Sequence, residues 1–371
     1  MTPRSHGTVG RGLRGVRRSG SLAQVAFAAL LVVVGAYVVG GLSPQYHEFV
    51  LATLINIVIV VGLYVFIGNS GVISFGQTSF MAIGAYATGL LTVAPMQKGF
   101  LLPDLPHWVA TLQVSEIPAM GMVALGVGLC AVVLGVPLMR LTGIAASIAT
   151  LSLLLVVNVV LVQTTTWTGG NQAFIGVPLT DTTTVFVVCA VLAIAVAFLF
   201  ERSSVGLRLQ ATREDEPAAR AAGIRVLPER LVAFFLSGAL VGLAGALYAH
   251  LVGSFDPSSF YLGLAFITLA MLVVGGLFSL SGAIVGAVVL SSVQEVLSRL
   301  ENGEGVGPIQ LTLRDGTTDV VLACIVIAVM LFRPAGIMGG RPSTAAIEGP
   351  HEEAAVTPQQ PHLTSDPGEG L

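Results

Sequence analysis

Scanned about twenty residues at a time, the length of helix that crosses a hydrocarbon core, the chain resolves into ten apolar runs separated by short polar segments. They are centred on Val32, Ile57, Gly84, Val127, Leu153, Val191, Leu240, Leu269, Val288 and Ile325. The pattern predicts an all-α polytopic membrane protein with about ten transmembrane helices. Runs eight and nine are divided only by Gly275 to Gly282. That pair is either a tight helical hairpin or a broken, re-entrant element, which a membrane tolerates when it is buried in protein.

The polar segments carry the charge, and their arginines orient the chain. With the N-terminus inside, ten crossings place Arg4, Arg11, Arg14, Arg17, Arg18, Arg140, the six arginines of residues 201–230, Arg333 and Arg341 on one side. Of the 17 Lys and Arg, only Lys98, Arg299 and Arg314 fall opposite. Cytoplasmic segments concentrate Lys and Arg, so both termini are expected in the cytoplasm. A basic tail at 1–22 then precedes a membrane-spanning body at 23–340. The tail at 341–371, rich in Pro, Gly, Ser, Thr and acids, cannot build a core and is expected to be disordered. Trp108, Trp167, Tyr248 and Tyr261 sit at span ends, where amphipathic rings prefer the interface.

Residues 201–230 form the one long charged run, with six arginines and five acids. Inside it, Glu214-Asp215-Glu216-Pro217 followed by Ala218, Ala219, Arg220, Ala221, Ala222 and Gly223 reads as a short helix. Its acids occupy the positive end of the helix dipole and Gly223 the left-handed C-terminal position. Such a helix is too short to stand alone in water, so it needs a surface to lie on; the bland alternative is a solvated loop.

Composition narrows the class. With 54% hydrophobic and 10% charged residues, and a mean hydropathy of +0.88, the chain lies outside the range of soluble globular domains. The run from about Gln24 to Leu42 is longer than a signal-peptide core and lacks a small-residue cleavage site, so it reads as a retained helix. Cys130, Cys189 and Cys324 all fall within apolar runs and read as small apolar fillers.

The chemistry of enzymes is missing from the pattern. A phosphate-binding loop needs a lysine in G-x-x-x-x-G-K-[ST], and the only lysine, Lys98, stands in Pro95-Met96-Gln97-Lys98-Gly99. ATP hydrolysis, if it drives this chain, belongs to another one. The six histidines show no metal-ligand spacing, and no nucleophile with its base is recognisable. Ionisable groups within the spans are scarce, with Glu295 the main exception, which suits a neutral or zwitterionic solute better than a proton-coupled pump.

Glycines cluster at 68, 71, 76, 84 and 89 and again at 275, 276, 282 and 286. Close helix packing is the simplest reason. The first cluster is interleaved with Asn69, Ser70, Ser74, Gln77, Thr78 and Ser79, and polar groups at a helix break also line solute paths.

Several stretches together resemble one family, the integral membrane permease subunits of branched-chain amino-acid ABC importers. They are GNSGVISFGQTSF at 68–80 with Gly84-Ala85-Tyr86, TGGNQ at 168–172 with Ile175 to Pro178, Gly206 to Arg208 through Arg213 to Gly223, and Phe234 to Tyr248. Met271 to Gly276 with Gly282 and Gly286, and FRPAGI at 332–337, complete the set. The resemblance implies that Arg213, Glu214, Glu216, Ala218, Ala219 and Gly223 form a coupling helix that docks on an ATP-binding subunit. It makes Asn69, Ser74, Gln77 and Thr78 candidates for the translocation path. It implies cytoplasmic ATPase subunits, a second homologous permease, an extracytoplasmic solute-binding protein and a bacterial inner-membrane location, with no cofactor and no nucleic acid. The solute it implies is a branched-chain amino acid, Leu, Ile or Val, with urea, short amides or another small neutral solute as the alternative. A stand-alone channel or facilitator is the rival reading.

Overall fold

The computed structural model describes residues 28–41, 44–303, 316–333 and 336–338. The tails at 1–22 and 341–371, and most of the polar segment before the last span, lie outside the described residues.

All ten apolar runs fall on helices, and among the described residues seven helical segments are long and apolar enough to cross a membrane. In chain order the first elements are α1 (Ala28–Gly40), α2 (Pro44–Ser70), α3 (Gln77–Thr92), the short α4 (Pro95–Leu101) and α5 (His107–Ala110), and α6 (Glu116–Leu138). Then come α7 (Gly143–Gln163), the single turn α8 (Thr165–Thr168), β1 (Phe174–Ile175), α9 (Thr183–Arg202), α10 (Ser204–Glu214) and α11 (Glu216–Ala221). The last group is α12 (Val226–Val252), β2 (Ser254–Phe255), a 3-10 turn (Pro257–Phe260), α13 (Leu262–Gly275), α14 (Leu280–Glu301) and α15 (Thr317–Phe332). Among the seven, α13 reaches span length only with the turn before it. The helices α1, α3 and α15 are shorter.

The core is built on α2 and α12, which are buried along most of their length, whereas α7 keeps most of its surface outside. Lipid supplies no hydrophobic force between helices, so close backbone approach has to hold them together. The sequence of α12 provides it. A side chain at Gly84 of α3 would collide with the Gly242 carbonyl, one at Gly245 with the Met81 carbonyl, and one at Gly62 of α2 with Val241. Ser237 of α12 adds a hydrogen bond from its Oγ to the Gly62 carbonyl (2.7 Å). Around this seam Phe234 meets Phe66 and Phe80 edge-on, with centroids 5.1 and 5.3 Å apart.

The pair left open by the sequence is a hairpin. Gly275 on α13 and Gly282 and Gly286 on α14 interlock so closely that a Cβ on Gly275 would strike the Gly282 carbonyl. Glycine therefore serves packing at this pair. Glu295, the intramembrane carboxylate expected from sequence, is paired with Arg299 one turn on (2.6 Å), whose guanidinium lies over the Tyr46 ring.

One feature of the far side had no signal in the hydrophobic pattern. β1 and β2 pair antiparallel, Phe174 opposite Phe255 and Ile175 opposite Ser254, joining two segments that the sequence separates by about eighty residues. Their rings stack at 5.6 Å, and Tyr86 and Phe260 pack edge-on against Phe255.

Candidate functional site

The charged run folds into two helices rather than one. Ser203 caps α10 by accepting a hydrogen bond from the Gly206 amide (3.0 Å), and the helix formers LRLQATRE carry it to Glu214. Glu214 thus ends α10, where the sequence placed it in the first turn of the short helix. That helix begins two residues later, at Glu216, because Asp215 has extended backbone and its Oδ1 accepts from the Ala218 amide (3.0 Å), an N-cap. Pro217 follows at the second helical position, where its missing N–H costs nothing.

The end of α11 is as expected. Gly223 takes φ +84°, its amide donates to the Arg220 carbonyl and the Ile224 amide to the Ala219 carbonyl (3.0 and 3.1 Å). This crossed pair is the glycine-terminated helix stop. Ala219 is buried beneath the helix, while Pro217, Ala218, Ala221 and Ala222 are exposed.

Ion pairs fasten the two helices to the membrane body. Glu216 accepts from Arg220 (2.6 Å) and from the buried Arg230 at the start of α12 (2.9 Å). Burial would raise the Glu216 carboxyl, but the Arg220 hydrogen bond and the Arg230 charge hold it below the usual carboxylate range. Arg208 of α10 pairs with Glu229 of α12 (3.0 Å).

Arg213 reaches further than its motif suggests. Its Nη1 donates to the Gly68 carbonyl near the end of α2 (2.7 Å), its Nη2 pairs with Glu214 (2.7 Å), and its guanidinium lies 4.5 Å from the Phe278 ring centre in the α13–α14 turn. The alkyl stem crosses Gly71, at φ +72°, so closely that a Cβ there would lie 2.6 Å from Arg213 Cγ. One position before Ser70, Asn69 Oδ1 accepts from Gln210 of α10 (2.8 Å) and Asn69 Nδ2 donates to the Val65 carbonyl (3.0 Å). Asn69 therefore joins the α10 contacts rather than the rest of the polar break.

The break itself, residues 71–76, is held against α7. The Phe75 amide donates to Thr150 Oγ1 (3.3 Å) and Ser147 Oγ donates to the Ile73 carbonyl (2.7 Å). Thr78 Oγ1 bonds the Phe75 carbonyl in the first turn of α3. Ser74 and Gln77 differ. Each is 1% exposed, and Ser74 Oγ and both amide atoms of Gln77 have no hydrogen-bond partner among the described residues. Ser79 Oγ and Tyr86 Oη on α3 are likewise unpaired among the described residues; in the sequence Tyr86 carried no polar signal and stood only in the Gly84-Ala85-Tyr86 motif. A buried unpaired polar group costs about 1–3 kcal/mol, so three such residues on the 16-residue α3, with Ser74 just ahead of it, concentrate unmet hydrogen-bonding demand along one short stretch. Among the described residues no group of His, Cys, Asp and Glu is arranged to hold a metal ion.

Against known families, residues 45–331 match the permease component of the branched-chain amino acid transport system. The chain belongs to that permease family. LivM, the high-affinity branched-chain amino acid transport system permease protein of Salmonella typhimurium, is 27% identical to it over 320 residues, 77% of this chain and 68% of its own length. LivM of Escherichia coli K12 matches equally. The autoinducer 2 import system permease protein LsrC of Salmonella paratyphi B is 34% identical over 113 residues, 29% of this chain and 32% of its own length. No solved structure matches. The permease match covers α2 to α14 and most of α15, and so contains both the α10–α11 loop and the polar break.

Proposed function

We propose that this permease forms the transmembrane path for branched-chain amino acids and is driven by ATP hydrolysis in a separate subunit that docks on α11. The observation that carries this reading is the reach of Arg213. One side chain links the helix before the exposed α11 to the Gly68 carbonyl and the Phe278 ring, so a push on α11 arrives at the entrance to the polar break. Ser74 and Gln77, uncharged and unpaired, then meet the solute. Arg213, Glu214, Glu216, Ala218, Ala219 and Gly223 act as the docking element, and Asn69 and Thr78 frame the break.

The same reading sets the topology. Ten crossings, both termini and α10–α11 in the cytoplasm, a body at 23–340 between two tails, and a bacterial inner membrane follow from the arginine distribution and the family. A homologous second permease and an extracytoplasmic solute-binding protein complete the importer. The LsrC likeness supports a second reading of the solute, in which a small neutral molecule such as autoinducer 2 takes the path.

Two experiments test this. A cysteine replacing Ser203 labels only from the cytoplasmic face and one replacing Gln172 only from the other; labelling of both from one side ends the ten-crossing topology. Vesicles holding the permease with its ATPase subunits and binding protein take up Leu, Ile and Val in an ATP-dependent way. Uptake of autoinducer 2 alone gives the second reading, and ATP-independent flux means a facilitator.

A further inference from the structure

The helix α4, between α3 and α6, has inverted polarity. Lys98 in α4 is 1% exposed, and its ammonium donates to the carbonyls of Val109 (3.4 Å) and Leu112 (2.5 Å). On the outer face of the same helix Met96 and Phe100, one turn apart, are 78% and 85% exposed. The next short helix buries Val109 but leaves Trp108 70% exposed, and Leu112 continues the outer stripe one turn on. Water selects the opposite, a cation outside and rings inside. Burial accordingly pushes the Lys98 ammonium below its ordinary pKa.

Placement says what covers it. The segment leaves the end of α3 and returns to α6, and the Val114 amide is tied to the Leu91 carbonyl in the last turn of α3 (2.9 Å). Gln97 lies against Gly176, and the Trp108 ring meets that of Trp167 beyond the end of α7, with centroids 6.4 Å apart. It therefore lies across the ends of spans, on the side opposite α10–α11, and continues into Ile117 and Leu125 of α6, which are exposed on a membrane-crossing helix.

We propose that α4 and α5 form an interfacial element whose Met96, Phe100, Trp108 and Leu112 sit in the boundary between headgroups and acyl chains of that leaflet, with phospholipid as the occupant. Amphipathic segments of this kind bury about 5–10 Å into the boundary, and indole and long apolar side chains favour that depth. The consequence falls on α3. Only Val93 and Ala94 separate α3 from α4, so lipid holds the far end of the helix that carries Gln77 while Arg213 reaches the break at its near end.

The chain has only two tryptophans, which makes the test direct. The Trp167→Phe variant of the full chain, reconstituted in phosphatidylcholine vesicles with brominated acyl chains, loses Trp108 emission, more with bromines near the headgroups than with bromines near the bilayer centre. A nitroxide on Phe100→Cys, in a chain whose Cys130, Cys189 and Cys324 are replaced by serine, is relaxed by oxygen more than by a water-soluble nickel chelate. Unquenched emission together with a nickel-accessible nitroxide overturns the proposal. So does quenching that disappears once the permease is assembled with its second subunit or its binding protein, because a protein partner then covers the stripe.

Discussion

Two polar regions of this permease lie within reach of one arginine and are built on opposite terms. In α10–α11 the caps are made and the acids at 214, 215 and 216 all have partners: Asp215 caps α11, Glu216 holds Arg220 and Arg230, and Glu214 holds Arg213. At the start of α3, Ser74, Gln77 and Ser79 are buried as deeply as the core yet have no partners among the described residues. The first region leaves none of these acids without a partner. The second retains unmet polar demand, which natural cores rarely tolerate, and retains it along one short stretch. Under the proposed function, this sets a fully paired docking element against an incompletely paired solute path.

The comparison breaks most visibly at Gln77. Replacing an unpaired buried amide with an apolar group of similar size is near neutral or stabilising, so Gln77→Leu should leave the thermal unfolding of the purified permease unchanged or raised. Uptake should fall about tenfold or more, the equivalent of ~1.4 kcal/mol of lost solute contact. Normal uptake by Gln77→Leu and Ser74→Val would return the segment to a packing role.

Arg213→Met probes the connection between the regions. It removes a charge-assisted hydrogen bond worth about 1.5–3 kcal/mol while keeping the stem against Gly71. Expected is continued ATP hydrolysis by the docked partner with solute movement lost; loss of docking instead would place Arg213 in the interface itself.

A smaller effect is expected from the double variant Glu216→Lys, Gly223→Val. Valine in the left-handed turn costs about 1–2 kcal/mol, and lysine at the first turn opposes the dipole by a few tenths to about 1 kcal/mol while facing Arg220 and Arg230. Both sites lie outside the spans, so membrane insertion should survive and co-purification of the ATPase subunit should weaken. Undiminished co-purification would show that α11 is a connector.

The smallest change is the pH dependence of the same carboxylate. The folded Glu216 is held below its ordinary pKa, so its contribution is present above the unfolded value and is lost as pH falls through the lower folded one. Because the group is partly solvated, the loss is modest. ATPase co-purification should weaken below the ordinary glutamate range in the native chain, and this step should vanish in Glu216→Gln.

What the sequence determined by itself was local or periodic. Ten runs of apolar residues had to become helices, since a hydrocarbon core leaves an isolated segment no other way to pair its backbone. The N-cap Asp215 and the left-handed Gly223 act within one turn of their own residues, so the short helix was legible. Helix α10 was missed because its charges hid it inside a polar loop, although Ser203 ahead of LRLQATRE was a readable start signal.

The tertiary structure decided what depends on distant neighbours. Whether a polar residue in an apolar run is paired cannot be read along the chain: Asn69 and Gln77 stand eight residues apart, and only the fold gives Asn69 the partner Gln210 and leaves Gln77 with none. Lys98 looked like an ordinary loop cation until the loop folded back and offered it two carbonyls. The β1–β2 pairing likewise joins residues about eighty positions apart in the chain. Periodicity fixes which segments enter the membrane; which polar groups then find one another is set by how closely those segments pack.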